Sequence, residues 1–241
     1  MLRIKDLNLL CSRAELGNLP DGKLLINTIN AFSYNNARKD ELFEEALTKG
    51  DVLIPDGISI VRTCRLLNAK SRPKERVAGW DLFTFEMRRL NKKGGKVMFL
   101  GSSEKVLGLI KKNAASCYPN LEIVTYSPPY KPQFTVEDDM NMVKAINDAN
   151  PDLLWIGMTA PKQEKWTYSN WDRLNIHCHV GTVGAVFDFF AGTYKRAPEI
   201  WQRMGLEWLY RLLAEPRRMW RRYIIGNAEF VGLVLRERFG F

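Results

Sequence analysis

Six short aliphatic or β-branched runs, separated by longer stretches of helical periodicity, constrain the fold of this chain more than any other feature. The runs fall at Lys23–Ile29, Asp51–Ile54, Lys96–Leu100, Leu121–Thr125, Leu153–Ile156 and Ile176–Thr182. Between them the pattern predicts helices over Ala31–Lys49, Ile58–Ala69, Leu82–Lys93, Glu104–Cys117, Val136–Asn150 and Lys162–Arg173. Strands alternating with helices imply an α/β fold, a parallel sheet flanked by helices, because parallel neighbours need a crossover long enough to hold a helix. The turns agree: Gly94-Gly95 and Asn150-Pro151-Asp152 can end helices, and Ser102-Ser103 can cap the helix after the third run. At 241 residues and 46% hydrophobic, the chain can build one substantial core with a small appendage.

After about residue 195 the strand signals stop. The expected division is an α/β core over 1–194 and a basic, aromatic helical appendage over 195–241, reading as two or three helices, with Pro216 opening one of them. Ten of the Lys/Arg residues and five of the Asp/Glu residues lie from Lys195 onward, so +5 of the +9 net charge is concentrated there. Two readings stay open: an apolar stripe packed on the core with a solvated basic face, or an interfacial helix pair whose aromatics enter headgroups while arginines meet phosphate. Truncation after about residue 195 is expected to leave a more soluble core with weak activity. The four scattered cysteines form no CxxC pair, and no run reaches the length needed to cross a bilayer, so a cytosolic chain with reduced thiols is expected.

Ligands in open α/β sheets bind at the carboxyl ends of the strands. There the sequence places Thr28 and Asn30, Asp56 and Gly57, Gly101 with Ser102 and Ser103 as an anion site, and the group Gly157, Thr159, Lys162, Gln163 and Glu164. Each has a plain structural alternative, Thr28 and Asn30 as turn and cap residues and Asp56 as an N-cap of the following helix. His177 and His179 alternate along a predicted strand and would share a face, yet no third ligand completes a metal site. Gly181, Gly184 and Asp188 fit a close backbone approach to a ligand. GxGxxG and GxxxxGK[ST] are both missing, which weakens an NAD-linked oxidoreductase. A basic nucleic-acid-binding module built on Arg217–Arg222 would not need the polar turns.

The ordered series "NTINA", "IPDGISIV", "RVAGWDL", "SPPY", "GMTAPKQEKW", "VGAVFDFFAGTYKRAP" and "GLEWLYRLLAEPRRMWRRY" resembles the WecG/TagA/CpsF family of bacterial glycosyltransferases, over residues 22 to 230. The resemblance implies a Rossmann-like core and an inverting, metal-independent transfer of a hexosyl or N-acetylhexosaminyl unit, with no cofactor. The donor would be a UDP-sugar and the acceptor a polyprenyl-diphosphate-linked saccharide, at the inner face of the cell membrane. On this resemblance Asp56 matches the catalytic base, with Thr28 and Gln163 beside the reaction centre. Asn30, Gly57, Gly101, Tyr130, Gly157, Thr159, Lys162, Gly184 and Asp188 would form the UDP-sugar pocket. Arg211, Arg217, Arg218, Arg221 and Arg222 would face the lipid diphosphate and membrane. The exposed aromatic tail could also support a homo-oligomer.

Overall fold

A computed structural model describes residues 2–240; Met1 and Phe241, which close the two expected parts, lie outside the described residues. All six expected strands form: β1 Leu24–Ile29, β2 Val52–Pro55, β3 Gly95–Gly101, β4 Leu121–Tyr126, β5 Leu153–Gly157 and β6 His179–Thr182. They make one parallel sheet in the order β2-β1-β6-β5-β3-β4. The fold is α/β and Rossmann-like, with helices on both faces. Strand β5 shows why both faces are covered: Leu153 and Trp155 enter one apolar cluster, Leu154 and Ile156 another, and all four are buried.

The crossovers hold α1 Ala31–Ala37, α2 Glu41–Thr48, α3 Ile58–Leu66, α4 Gly79–Lys93, α5 Glu104–Cys117, α6 Val136–Ala149 and α7 Lys162–Asn170. One expected helix, 31–49, is two. Asp40 is extended and its side chain accepts from Phe43 N at 3.0 Å, so it caps a new helix where a continuous one was expected. A further short helix, α8 Val186–Ala191, follows β6 where the sequence showed only an aromatic run. Strand β6 starts at His179, so His177 and His179 do not share a strand face. His177 is exposed, whereas the buried His179 ring sits between Glu86 Oε1 at 3.0 Å and Pro20 O at 2.9 Å. Gly181, expected to face a ligand, instead makes room for the Trp155 indole on the neighbouring strand.

Past residue 195 come α9 Glu199–Arg203, α10 Glu207–Ala214, α11 Pro216–Trp220 with Pro216 at its start, a π-turn Arg221–Ile225, and α12 Gly226–Phe239. That is four helices where two or three were expected. The last of them is built into the core. Phe230 and Val234 are buried in the cluster of Ile4, Leu7, Tyr34 and Phe43, and the Phe230 ring meets Tyr34 edge-on at 5.6 Å. The Glu237 carboxylate accepts from the backbone of Ile4 and Lys5 at 3.0 and 2.7 Å and from the Tyr34 hydroxyl at 3.2 Å.

Gly101 closes β3 at φ +125°, and a Cβ there would strike the backbone carbonyl of Gly157. Replacing Gly101 by alanine therefore incurs both backbone strain and a clash that no side chain can relieve, together about 2–5 kcal/mol. A melting temperature lower by about 5–15 °C is expected, measured by thermal denaturation.

Candidate active site

The carboxyl ends of all six strands open into one cleft of about 1480 Å³. Its lining takes Thr28 and Asn30 from the end of β1 and the turn after it, Asp56 after β2, Ser102 and Ser103 after β3, and Ser127 to Pro132 with Phe134 after β4. The turn after β5 gives Gly157 to Glu164, and the turn after β6 gives Val183 to Phe189. The C-terminal helices close the remaining side with Glu207, Arg211, Arg218, Arg221 and Arg222. A volume above the roughly 300–1,000 Å³ of common small-molecule pockets leaves room for two substrates.

Asp56 does not cap α3. The N-cap is Gly57 and no side chain bonds that helix start. The Asp56 backbone is instead pinned to β1 and β2, its N–H donating to Ile29 O at 2.9 Å and to Ile54 O at 3.0 Å. Arg76 holds it from the other side: Nη2 donates to Asp56 Oδ1 at 2.9 Å and Nε to the Asp56 carbonyl at 2.5 Å. Among the described residues Oδ2 has no hydrogen-bond partner. Burial pushes the Asp56 carboxyl above the usual carboxylate range, opposed by Arg76 and aided by Glu207. A carboxylate so placed is a stronger proton acceptor than an exposed one.

Thr28 and Gln163 reach the same cleft. Thr28, next to last in β1, is half-buried, with its methyl toward Gly79. Gln163 is 3% exposed, and its carboxamide orientation is set by two bonds: Oε1 accepts from Met158 N at 3.1 Å and Nε2 donates to Glu164 Oε1 at 2.8 Å. Gly184, at φ +50°, lies against that carboxamide and keeps the space beside it open. Glu164, which the sequence groups with Gln163 at this turn, is buried beside it. Burial raises its carboxyl to about 7, and its Oε2 is buried without a partner at the cleft wall.

The remaining expected residues divide. Asn30 lines the cleft but its side chain caps α1, accepting from Ser33 N at 3.1 Å. Gly57 packs against Asn30, and Gly101 is buried against Gly157, so these two glycines shape the turns from behind. Gly157 itself lines the cleft and leaves space for the Phe187 ring, 2.5 Å from where a Cβ would stand. Thr159 is exposed at the entrance, and Lys162 ties two turns together, donating to Lys131 O at 2.5 Å over the Phe134 ring. Tyr130 stands fully exposed on the rim. Asp188, in the first turn of α8, lines the cleft and accepts from Thr193 Oγ1 at 3.3 Å.

Arg211, Arg218, Arg221 and Arg222 reach the cleft, while exposed Arg217 lies outside its lining. Arg211 stacks over Phe189 and Arg222 over Phe32, the latter at 4.4 Å. The Arg222 Nε is buried without a partner, and burial holds the guanidinium below its ordinary value. An unpaired buried guanidinium nitrogen beside three further cations suits an anionic group of a ligand. Among the described residues no group of three or more His, Cys, Asp or Glu side chains could hold a metal.

Sequence reasoning missed the charged groups around Asp56. Arg76, Arg196 and Glu207 all fall inside quoted motifs, but they are far apart along the chain and only the fold brings them together.

The model described as "Glycosyl transferase WecG/TagA/CpsF family" matches residues 7–241. An N-acetylglucosaminyldiphosphoundecaprenol N-acetyl-beta-D-mannosaminyltransferase of Bacillus subtilis is 34% identical over 213 residues, covering 88% of this chain and 79% of that protein. A protein of the same name from Bacillus spizizenii is 32% identical over 201 residues, covering 83% and 74%.

Proposed function

The chain belongs to the WecG/TagA/CpsF family of glycosyl transferases, and from that premise we propose that it moves an N-acetylhexosaminyl unit from a UDP-sugar to a polyprenyl-diphosphate-linked saccharide, with inversion. The observation that carries this reading is the shared cleft: it is lined by a carboxylate that caps no helix and, along one side, by a cluster of arginines. The names of both Bacillus relatives favour N-acetylmannosamine as the sugar and a diphosphoundecaprenol-linked N-acetylglucosamine as the acceptor.

In this mechanism the acceptor hydroxyl attacks the anomeric carbon from the face opposite the diphosphate. Asp56 Oδ2 takes the hydroxyl proton as the new C–O bond forms, and the bond to UDP breaks with its electron pair leaving on phosphate. Negative charge gathers on that diphosphate, and in this reading the cleft arginines Arg211, Arg218, Arg221 and Arg222 would meet it there or hold the diphosphate of the lipid acceptor. Thr28 and the fixed Gln163 amide orient the sugar, and no metal is invoked.

The C-terminal segment leaves Ile200, Met204, Leu213, Trp220, Ile224 and Ile225 exposed, with Ile225 also lining the cleft, in a stretch rich in arginine. No helix among the described residues is long and apolar enough to cross a membrane. Apolar side chains next to arginines fit a peripheral seat on an anionic leaflet, which would bring the lipid acceptor to the cleft. The cytoplasmic leaflet is the side we propose.

Incubation with UDP-N-acetylmannosamine and a short-chain polyprenyl-diphosphate N-acetylglucosamine is expected to yield a disaccharide lipid with a β linkage, read by mass spectrometry and NMR. Turnover of UDP-glucose at an equal rate would reject the proposed sugar. An α linkage would reject the single-displacement mechanism.

A further inference from the structure

Arg76 stands between two carboxylates from distant parts of the chain. Its Nη2 donates to Asp56 Oδ1 at 2.9 Å and its Nη1 to Glu207 Oε2 at 2.7 Å. The second Glu207 oxygen receives Arg196 Nε at 3.5 Å. The four side chains of Asp56, Arg76, Glu207 and Arg196 are only 26, 20, 13 and 19% exposed, so water screens them weakly. Glu207 is the first residue of α10, and the turn before it is seated beside Asp56. There Gly205, at φ +73°, lies against Ile58 at the start of α3.

A guanidinium offers a carboxylate two parallel N–H groups, and a free one closes on both oxygens as a fork. In this protein Glu207 occupies one of those groups, so the Asp56 side chain receives a single bond on a single oxygen. We propose that Glu207 is a positioning residue: by holding Arg76 Nη1 it keeps the guanidinium from closing on both oxygens of Asp56, and so leaves Oδ2 able to take the acceptor proton only while α10 is docked on the core. This rests on the reading of Asp56 as the base.

The charged groups facing Asp56 are Arg76 from the segment before α4, Arg196 from the segment before α9, Glu207 of α10 and Arg222 of the π-turn. Removing Glu207 leaves three cations around one carboxylate. The ionised form of Asp56 is then favoured, its pKa falls, and the base weakens.

The test uses the full chain with UDP-N-acetylmannosamine and the short-chain lipid acceptor, comparing Glu207→Ala and Glu207→Gln with wild type. Glutamine keeps an oxygen that can accept from Arg76, whereas alanine keeps nothing. For Glu207→Ala the acid limb of kcat/KM is expected about one pH unit lower and the plateau kcat about 10–100-fold lower, with donor KM within about twofold. Glu207→Gln should fall between Ala and wild type, and if the alanine variant does not fold, the glutamine variant alone decides by the same sign. Acid limbs that superimpose on wild type, or equal losses of kcat with an unmoved limb, overturn the proposal. Asp56→Asn separates the two ideas: turnover surviving there defeats the base reading itself, whereas loss there with an unmoved limb in the Glu207 variants defeats only the positioning role.

Discussion

Asp56→Asn is expected to lower kcat for glycosyl transfer by roughly 10²–10⁴-fold, the span that a positioned general base contributes. Asparagine keeps the shape and can still accept one hydrogen bond from Arg76, but it cannot take a proton. The fold should hold, because the Asp56 backbone remains bonded to Ile29, Ile54 and Arg76 whatever the side chain. Linkage sharpens the expectation. The Asp56 carboxyl is raised in the folded protein, chiefly by burial and against the pull of Arg76. A raised carboxyl contributes stability that is present below the unfolded pKa and lost as pH rises through the folded one, so at neutral pH its ionised form is a cost. Asp56→Asn should therefore melt no lower than wild type at pH 7. Wild-type kcat/KM should fall as pH drops through the same raised value. Near-normal turnover in the variant, measured alongside its melting curve, would remove Asp56 from the base role.

The sheet was legible in the sequence because each strand carries a compact aliphatic run and buries both faces, which leaves little room for another assignment. The helix ends were less so. Asp40 interrupts a stretch whose periodicity runs on, and only its extended backbone shows that it opens a second helix. Helix α8 was missed because "VFDFFA" is short and dense in aromatics, a composition that fits strand or helix equally. At the site, residues carried by strand ends could be placed by topology alone: Thr28, Asp56 and Gln163 do meet in one cleft. Local rules misjudged what Asp56 touches. An aspartate before a helix reads as a cap, but its true neighbours are Arg76 and, through Arg76, Glu207, contacts of a kind with no signature at any local spacing.

The other large effect lies far from the chemistry. Phe230→Ala should cost about 3–5 kcal/mol, because the ring is 4% exposed, packs edge-on against Tyr34, and sits in a buried apolar cluster. For a chain of this size that corresponds to a melting temperature lower by about 6–20 °C. Leu235→Ala on the same helix is the internal comparison. That side chain is 47% exposed, so its loss should stay within about 0.5 kcal/mol. The contrast decides between two views of the C-terminal region. If α12 were part of a detachable appendage, both substitutions would be mild, and truncation after residue 195 would leave a well-behaved core. With α12 packed on Tyr34 and Glu237 holding the backbone of Ile4 and Lys5, the same truncation exposes an apolar face and frees the N-terminal segment. The truncated chain should then aggregate rather than gain solubility. The docking of α10 beside Asp56 depends on that anchor, since α12 fixes the far end of the segment that carries Glu207 and the cleft arginines. A variant loosened at Phe230 should accordingly lose transfer activity on warming before the sheet itself melts, which parallel measurements of turnover and circular dichroism against temperature would show.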